Sequence, residues 1–98
     1  MISIKIYKQG EELLIAACDE KLIGKIFEEG KYHLEITERF YDGERVTPAV
    51  FKKFLSEATI ANLVGKDTIK CAIEIGLIDP DCIIKIKGIP HAQMVRMI

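Results

Sequence analysis

The sequence predicts a small α+β domain: an antiparallel or mixed sheet, with about two main helices set between N-terminal and C-terminal strands. Three observations carry this expectation. Ile2, Ile4 and Ile6 alternate with Ser3, Lys5 and Tyr7, the period-two pattern of a half-buried strand. Thr47-Pro48, followed by Val50, Phe51, Phe54, Leu55 and Ala58, combines a helix start signal with an apolar stripe at helical spacing. Towards the C-terminus, Asp79-Pro80-Asp81 and Gly88-Ile89-Pro90-His91 are turn signals bounding a strand over 82–87. The 98 residues, 49% hydrophobic and 30% charged, fit one compact domain over 1–98.

After the first strand, Gln9-Gly10-Glu11-Glu12 reads as a turn into the apolar run Leu13–Cys18, so the two strands form a hairpin. The second run does not alternate, which places it inside the sheet with both faces covered. Asp19 to Gly24 reads as one helical turn, with Asp19 as N-cap and Gly24 as its left-handed stop. Extended structure resumes at Lys25–Glu28. Glu29-Gly30-Lys31 then turns into a strand with Tyr32, Leu34 and Ile36 on one face, His33 and Glu35 on the other. Residues 39–44 read as a loop in which one of the adjacent rings of Phe40 and Tyr41 plugs the core.

Carrying the Thr47-Pro48 helix phase forward puts Ala61 and Asn62 on its buried face and pushes Ile60 and Leu63 off it. Either the helix breaks near Thr59 or a second face is buried; in both cases Asn62 is an amide among apolar residues and needs partners. Gly65 ends this element. A second helix follows, capped by Asp67, with Ile69, Ala72, Ile73 and Leu77 at helical spacing and Gly76 as its stop. Ile84 and Ile86 oppose Lys85 and Lys87 in the next strand, and the last strand is expected over 93–98.

Composition excludes several classes of function. The net charge is −1, with 9 Lys/Arg against 11 Asp/Glu in residues 1–58 and 5 against 4 in 59–98, so neither half is a basic arm. MISIKIYKQG lacks a signal-peptide core, and the longest uncharged apolar run, over 13–18, falls far below the roughly 20 residues that span a bilayer. A cytoplasmic protein with no membrane association is the expectation. Cys18, Cys71 and Cys82 lack C-x-x-C spacing and read as small buried hydrophobes with reduced thiols, with a Cys71–Cys82 disulfide left open for a hyperthermophilic source. No metal-ligand motif, cofactor fingerprint or phosphate-binding glycine loop is present.

The segments ATIANLVG and GIPHAQ are neither generic turns nor generic helices. Together with Cys18-Asp19, Leu22-Ile23-Gly24-Lys25 and Phe40-Tyr41-Asp42-Gly43, they make the chain resemble, over nearly its whole length, the archaeal family catalogued as domain of unknown function 424. The resemblance implies a small archaeal cytosolic protein with no assigned reaction and no catalytic residues to carry over. An association with RNA or with a translation-complex protein is the expectation it brings.

Subtracting core and punctuation leaves Asn62, His91, Gln93, Lys85 and Lys87 as ligand-binding candidates. Pro90 stiffens the backbone ahead of His91, and Gln93 shares its face in an extended segment, a pair suited to reading a planar polar ligand. His91 satisfied by backbone carbonyls, and Asn62 as an amide tying down a turn, are the bland readings beside these. Lys85 and Lys87, with Arg96 on a neighbouring strand and Lys66 and Lys70 nearby in sequence, would track phosphates from an open sheet face. Tyr7, Phe40 and Tyr41 are the aromatics available to stack bases. The leading expectation is therefore a non-catalytic binding module. The alternatives are a thiol enzyme using Cys18 and His91, and a self-assembly or protein-interaction module presenting a strand edge or the aromatic loop.

Overall fold

A computed structural model describes residues 1–96. In chain order the strands are β1 (Ile2–Gln9), β2 (Glu12–Asp19), β3 (Ile26–Glu29), β4 (Tyr32–Glu35), β5 (Glu44–Val46), β6 (Ile60–Val64), β7 (Ile84–Ile86) and β8 (Ile89–Val95). The helices are α1 (Glu38–Tyr41), α2 (Pro48–Leu55) and α3 (Lys66–Glu74), with 3-10 turns at Glu20–Leu22 and Pro80–Cys82. Six strands form one mixed sheet in the order β5-β1-β2-β6-β8-β7, while β3 and β4 pair separately. The fold is α+β, as the sequence predicts.

The β1–β2 hairpin closes at Gln9↔Glu12 with Gly10 at φ +60°, the first position of a turn class that needs glycine there. β2 then pairs in parallel with β6, the one parallel contact among the described strands. A parallel neighbour requires a crossover, and residues 20–59 supply it. They lay the β3–β4 hairpin and α1 over one face of the sheet and α2 over the other. This double cover explains the unalternating run in β2. Ile15 and Ala17 enter the core under α2 and α3, while Ala16 and Cys18 enter the core under Leu22, Leu34, Ile36 and Tyr41. Phe51, Ile15, Leu63 and Ile36 are fully buried, each contributing about 1.5–3 kcal/mol of apolar transfer free energy.

Four expectations are corrected. The stretch after Ala58 is a strand, not a helix: α2 stops at Leu55, and Ile60–Val64 fills the slot between β2 and β8. Residues 39–44 are not all loop, because Thr37 caps the short α1 through the Phe40 N–H and β5 begins at Glu44. Tyr41 is the ring that plugs the core. The last turn is Lys87-Gly88, with Ile86 paired to Ile89, so Pro90 and His91 lie inside β8 rather than in a turn. The strand expected over 93–98 thus starts earlier, and residues 97 and 98 lie outside the described residues.

The fourth correction concerns Asp19. Its side chain makes no cap to the Glu20–Leu22 turn. Parallel pairing of β2 with β6 instead sets it beside the first turn of α3, where it accepts from the N–H groups of Asp67 and Thr68 and from the Thr68 hydroxyl, at 3.2, 2.9 and 2.8 Å. Asp67 is therefore not the cap of α3. The cap is a carboxylate 48 residues earlier in the chain.

Candidate functional site: the open half of the sheet and a lysine-rimmed groove

Register across the sheet decides which candidates meet. Ala16, Asn62 and Gln93 are direct neighbours on β2, β6 and β8, on the face turned away from α2 and α3. The β3–β4 hairpin and α1 cover the end of that face nearest Cys18. Towards Tyr7, Leu14, Ile60 and Asn62 the cover stops and side chains become half-buried. Here Gln93 Nε2 donates to Asn62 Oδ1 at 2.8 Å. Whichever way the two amides are turned, this bond uses one donor and one acceptor, leaving a second donor and acceptor side by side to face solvent.

His91 lies one step along the same face, level with Cys18 and Val64. Its Nδ1 is 3.0 Å from the Leu63 carbonyl, which fixes the proton there and leaves Nε2 as an acceptor. Burial pushes the imidazole below its ordinary 6.5, with the Leu63 hydrogen bond opposing, so the ring is neutral at pH 7. Cys18 stands two strands from His91, about 10 Å at ordinary strand spacing. It is fully buried, and desolvation first, then the Asp19 carboxylate, push its thiol up to about 12. A thiol so protected and so distant from the imidazole is not an activated nucleophile.

Beside the amide pair, on the β1 side, lies an aromatic step. Tyr7 and Phe40 stack with centroids 5.5 Å apart and planes inclined by 19°. Tyr7 Oη donates to the Phe40 carbonyl at 3.0 Å, and Lys5 Nζ sits 5.7 Å over the Tyr7 ring while donating to the Arg39 carbonyl. These residues, with Thr37 and Arg39, line a hollow of about 300 Å³. Lys5 and Arg39 are not among the binding candidates that the sequence singles out. The signal was the alternation itself, which puts Lys5 and Tyr7 on one face of β1.

The lysine candidates are not on that face, and this corrects the expected Lys85, Lys87 and Arg96 surface. Lys85 pairs with Pro90 on the helix side of the sheet. Lys87 occupies the β7–β8 turn at φ 53°, its N–H donating to Glu29 Oε1 at 2.8 Å. Arg96 lies beyond the far end of β8, where its guanidinium donates to the Ser56 carbonyl. Lys85 instead joins Lys66 and Lys70 around a groove of about 710 Å³ between α3 and the β7–β8 hairpin, floored by Ile69, Ile73 and Ile83. Glu74 also lines the groove, but Lys52 holds it at 2.9 Å.

Cys71 is buried and Cys82 exposed, and all three thiols are unpaired. Cys82 therefore departs from the expected buried role, since it closes the Pro80–Cys82 turn before β7 begins. Among the described residues, no group of three His, Cys, Asp or Glu side chains is placed to hold a metal, and no helix is long and apolar enough to cross a membrane.

Comparison with known proteins bears on the chain as a whole. No curated protein matches it. Its fold is similar to the crystal structure of an uncharacterized conserved protein from Methanopyrus kandleri, with a TM-score of 0.82 and 27% identity over 99% of this chain and 95% of that one. The family model described as "Protein of unknown function (DUF424)" matches residues 7–97. ATIANLVG and GIPHAQ, which suggested the family from sequence, are the two segments that pair through Asn62 and Gln93 at the centre of the sheet, and the chain belongs to the DUF424 family.

Proposed function

We propose that the protein is a non-catalytic binding module that holds single-stranded RNA on the open half of its sheet. One observation carries this reading: the Tyr7–Phe40 stack, with Lys5 and Arg39 beside it, shares a face with the solvent-facing Asn62–Gln93 amide pair. Splayed bases are held by aromatic faces and read on their edges by paired donors and acceptors, while nearby cations meet the phosphates. Two strand spacings, about 10 Å, separate β1 from β6, a span of two or three nucleotides. The buried, protonated Cys18 supports a binding role over a thiol enzyme. An archaeal source, suggested by the Methanopyrus relative, and cytoplasmic work within a translation complex accompany this reading.

The test is fluorescence anisotropy of a labelled 12-nucleotide single-stranded RNA across a salt series. Affinity is expected to fall with salt, and Phe40→Leu to cost about 1–3 kcal/mol of binding by loss of a stacking ring. Gln93→Ala should relax base preference with little change in the salt slope. If the wild-type protein shows no salt-sensitive binding at low ionic strength, RNA is not its ligand.

A further inference from the structure

On the opposite face of the sheet, the groove between α3 and the β7–β8 hairpin has a different chemistry. Its floor is aliphatic, from Ile69, Ile73 and Ile83, with Pro80 and Pro90 closing it and no aromatic ring for a base to stack on. Its charged lining residues are Lys66, Lys70, Lys85 and Glu74, long side chains rather than a converging set of short polar groups that would orient a small ligand. Among the described residues, Lys66, Lys70 and Lys85 have no carboxylate within salt-bridge distance, whereas Glu74 is taken by Lys52. Asp79 and Asp81, at the Pro80–Cys82 turn, are exposed carboxylates at one end of the groove and are not among its lining residues. The groove is thus apolar within, and its lining carries three ammonium groups against one carboxylate that Lys52 already pairs.

We propose that this groove docks an acidic amphipathic helix of a partner protein. Lys66, Ile69, Lys70 and Ile73 follow i, i+3, i+4, i+7 spacing along α3, so two lysines one turn apart flank two isoleucines on one wall. Lys85 supplies the facing charge from β7. The complementary partner carries leucine-like residues at the same spacing, with Glu or Asp one turn apart along their border. Aliphatic contact supplies the affinity, and the rim charges set orientation and on-rate. The inference stands on residues separate from those proposed to hold RNA.

A designed 16-residue acetylated peptide, with Leu at i, i+3/i+4 and i+7 and Glu flanking them, serves as the probe. It is titrated into 15N-labelled protein, with a Lys-for-Glu version as control. Amide shifts are expected along α3 and through residues 82–88, with none at Asn62 or Gln93. Lys70→Glu combined with Lys85→Glu, both exposed positions, should weaken the acidic peptide at least about tenfold and restore binding of the basic one. Absence of groove shifts, or an affinity indifferent to the reversal, overturns the proposal. So does loss of RNA binding in the reversed protein without any peptide binding, which would give the groove to RNA. Phe40→Leu separates the two readings, since it should weaken RNA and leave the peptide unchanged.

Discussion

At the scale of single residues, a tight constraint joins Asp19 to Gly65. Gly65 adopts φ 110° and ψ 155°, a region closed to other residues, and a Cβ there would lie 2.4 Å from the Asp19 side-chain carbon. Gly65→Ala should therefore destabilise by about 3 kcal/mol or more, and Asp19→Ala by about 2 kcal/mol through three lost hydrogen bonds, both measured by urea unfolding. The double variant should lose less than the sum, because removing the carboxylate clears the space the new methyl needs. His91 carries a pH signature at the same scale. Its folded pKa lies below 6.5, so the unfolded chain takes up the proton first as pH falls. Stability should be flat in this respect above 6.5 and decline from 6.5 towards the lower folded value, and His91→Gln should remove that decline in unfolding measured over pH 5–8.

At the scale of elements, the β7–β8 hairpin is closed by a turn that fits its sequence poorly. Lys87 at φ 53° and Gly88 at φ 78° form the two-residue turn that favours Asn-Gly. A lysine in that conformation costs on the order of 1 kcal/mol relative to residues that tolerate it. Lys87→Asn is expected to raise stability by up to about 1 kcal/mol, seen as a higher melting temperature. Pro90, by contrast, sits where strand pairing asks nothing of it. The Gly65 N–H donates to the Pro90 carbonyl, while the Gly65 carbonyl turns into α3 and accepts from the Ile69 N–H, so no acceptor awaits a proton on Pro90. The element that sequence misassigned, β6, has the matching explanation. A five-residue stretch with β-branched ends is too short for periodicity to separate strand from helix, and its place between β2 and β8 decided the matter.

At the scale of the whole molecule, two cores on either side of one sheet govern reactivity. Cys18 and Cys71 are buried and Cys82 exposed, so the native protein should release one equivalent of thiolate product with Ellman's reagent, and three after unfolding. Cys18 and Tyr41, both held near 12 chiefly by burial, ionise in the unfolded chain nearer 9 and 10. Stability should consequently be fully present below pH 9 and fall as pH rises from 9 towards 12, with Cys18→Ala shallowing that decline.

The sequence by itself determined what local chemistry can decide. The β1 strand, the Gly10 turn, the Thr47-Pro48 start of α2 and the stop at Gly76 are all set by neighbours within a few residues, and each is where the pattern places it, although Ser3 is buried and Ile6 exposed against the alternation. The suspicion over Asn62 was also local, since the helix phase failed to fit around it. Only the tertiary structure decided that Asn62 meets Gln93, that Asp19 caps a helix 48 residues away, and that Lys85 turns from the amide face to join Lys66 and Lys70. Each depends on the parallel pairing of β2 with β6 or on the register of β8. Pairings between distant segments are fixed by competition among whole-chain packings, and no residue's immediate neighbours record the outcome.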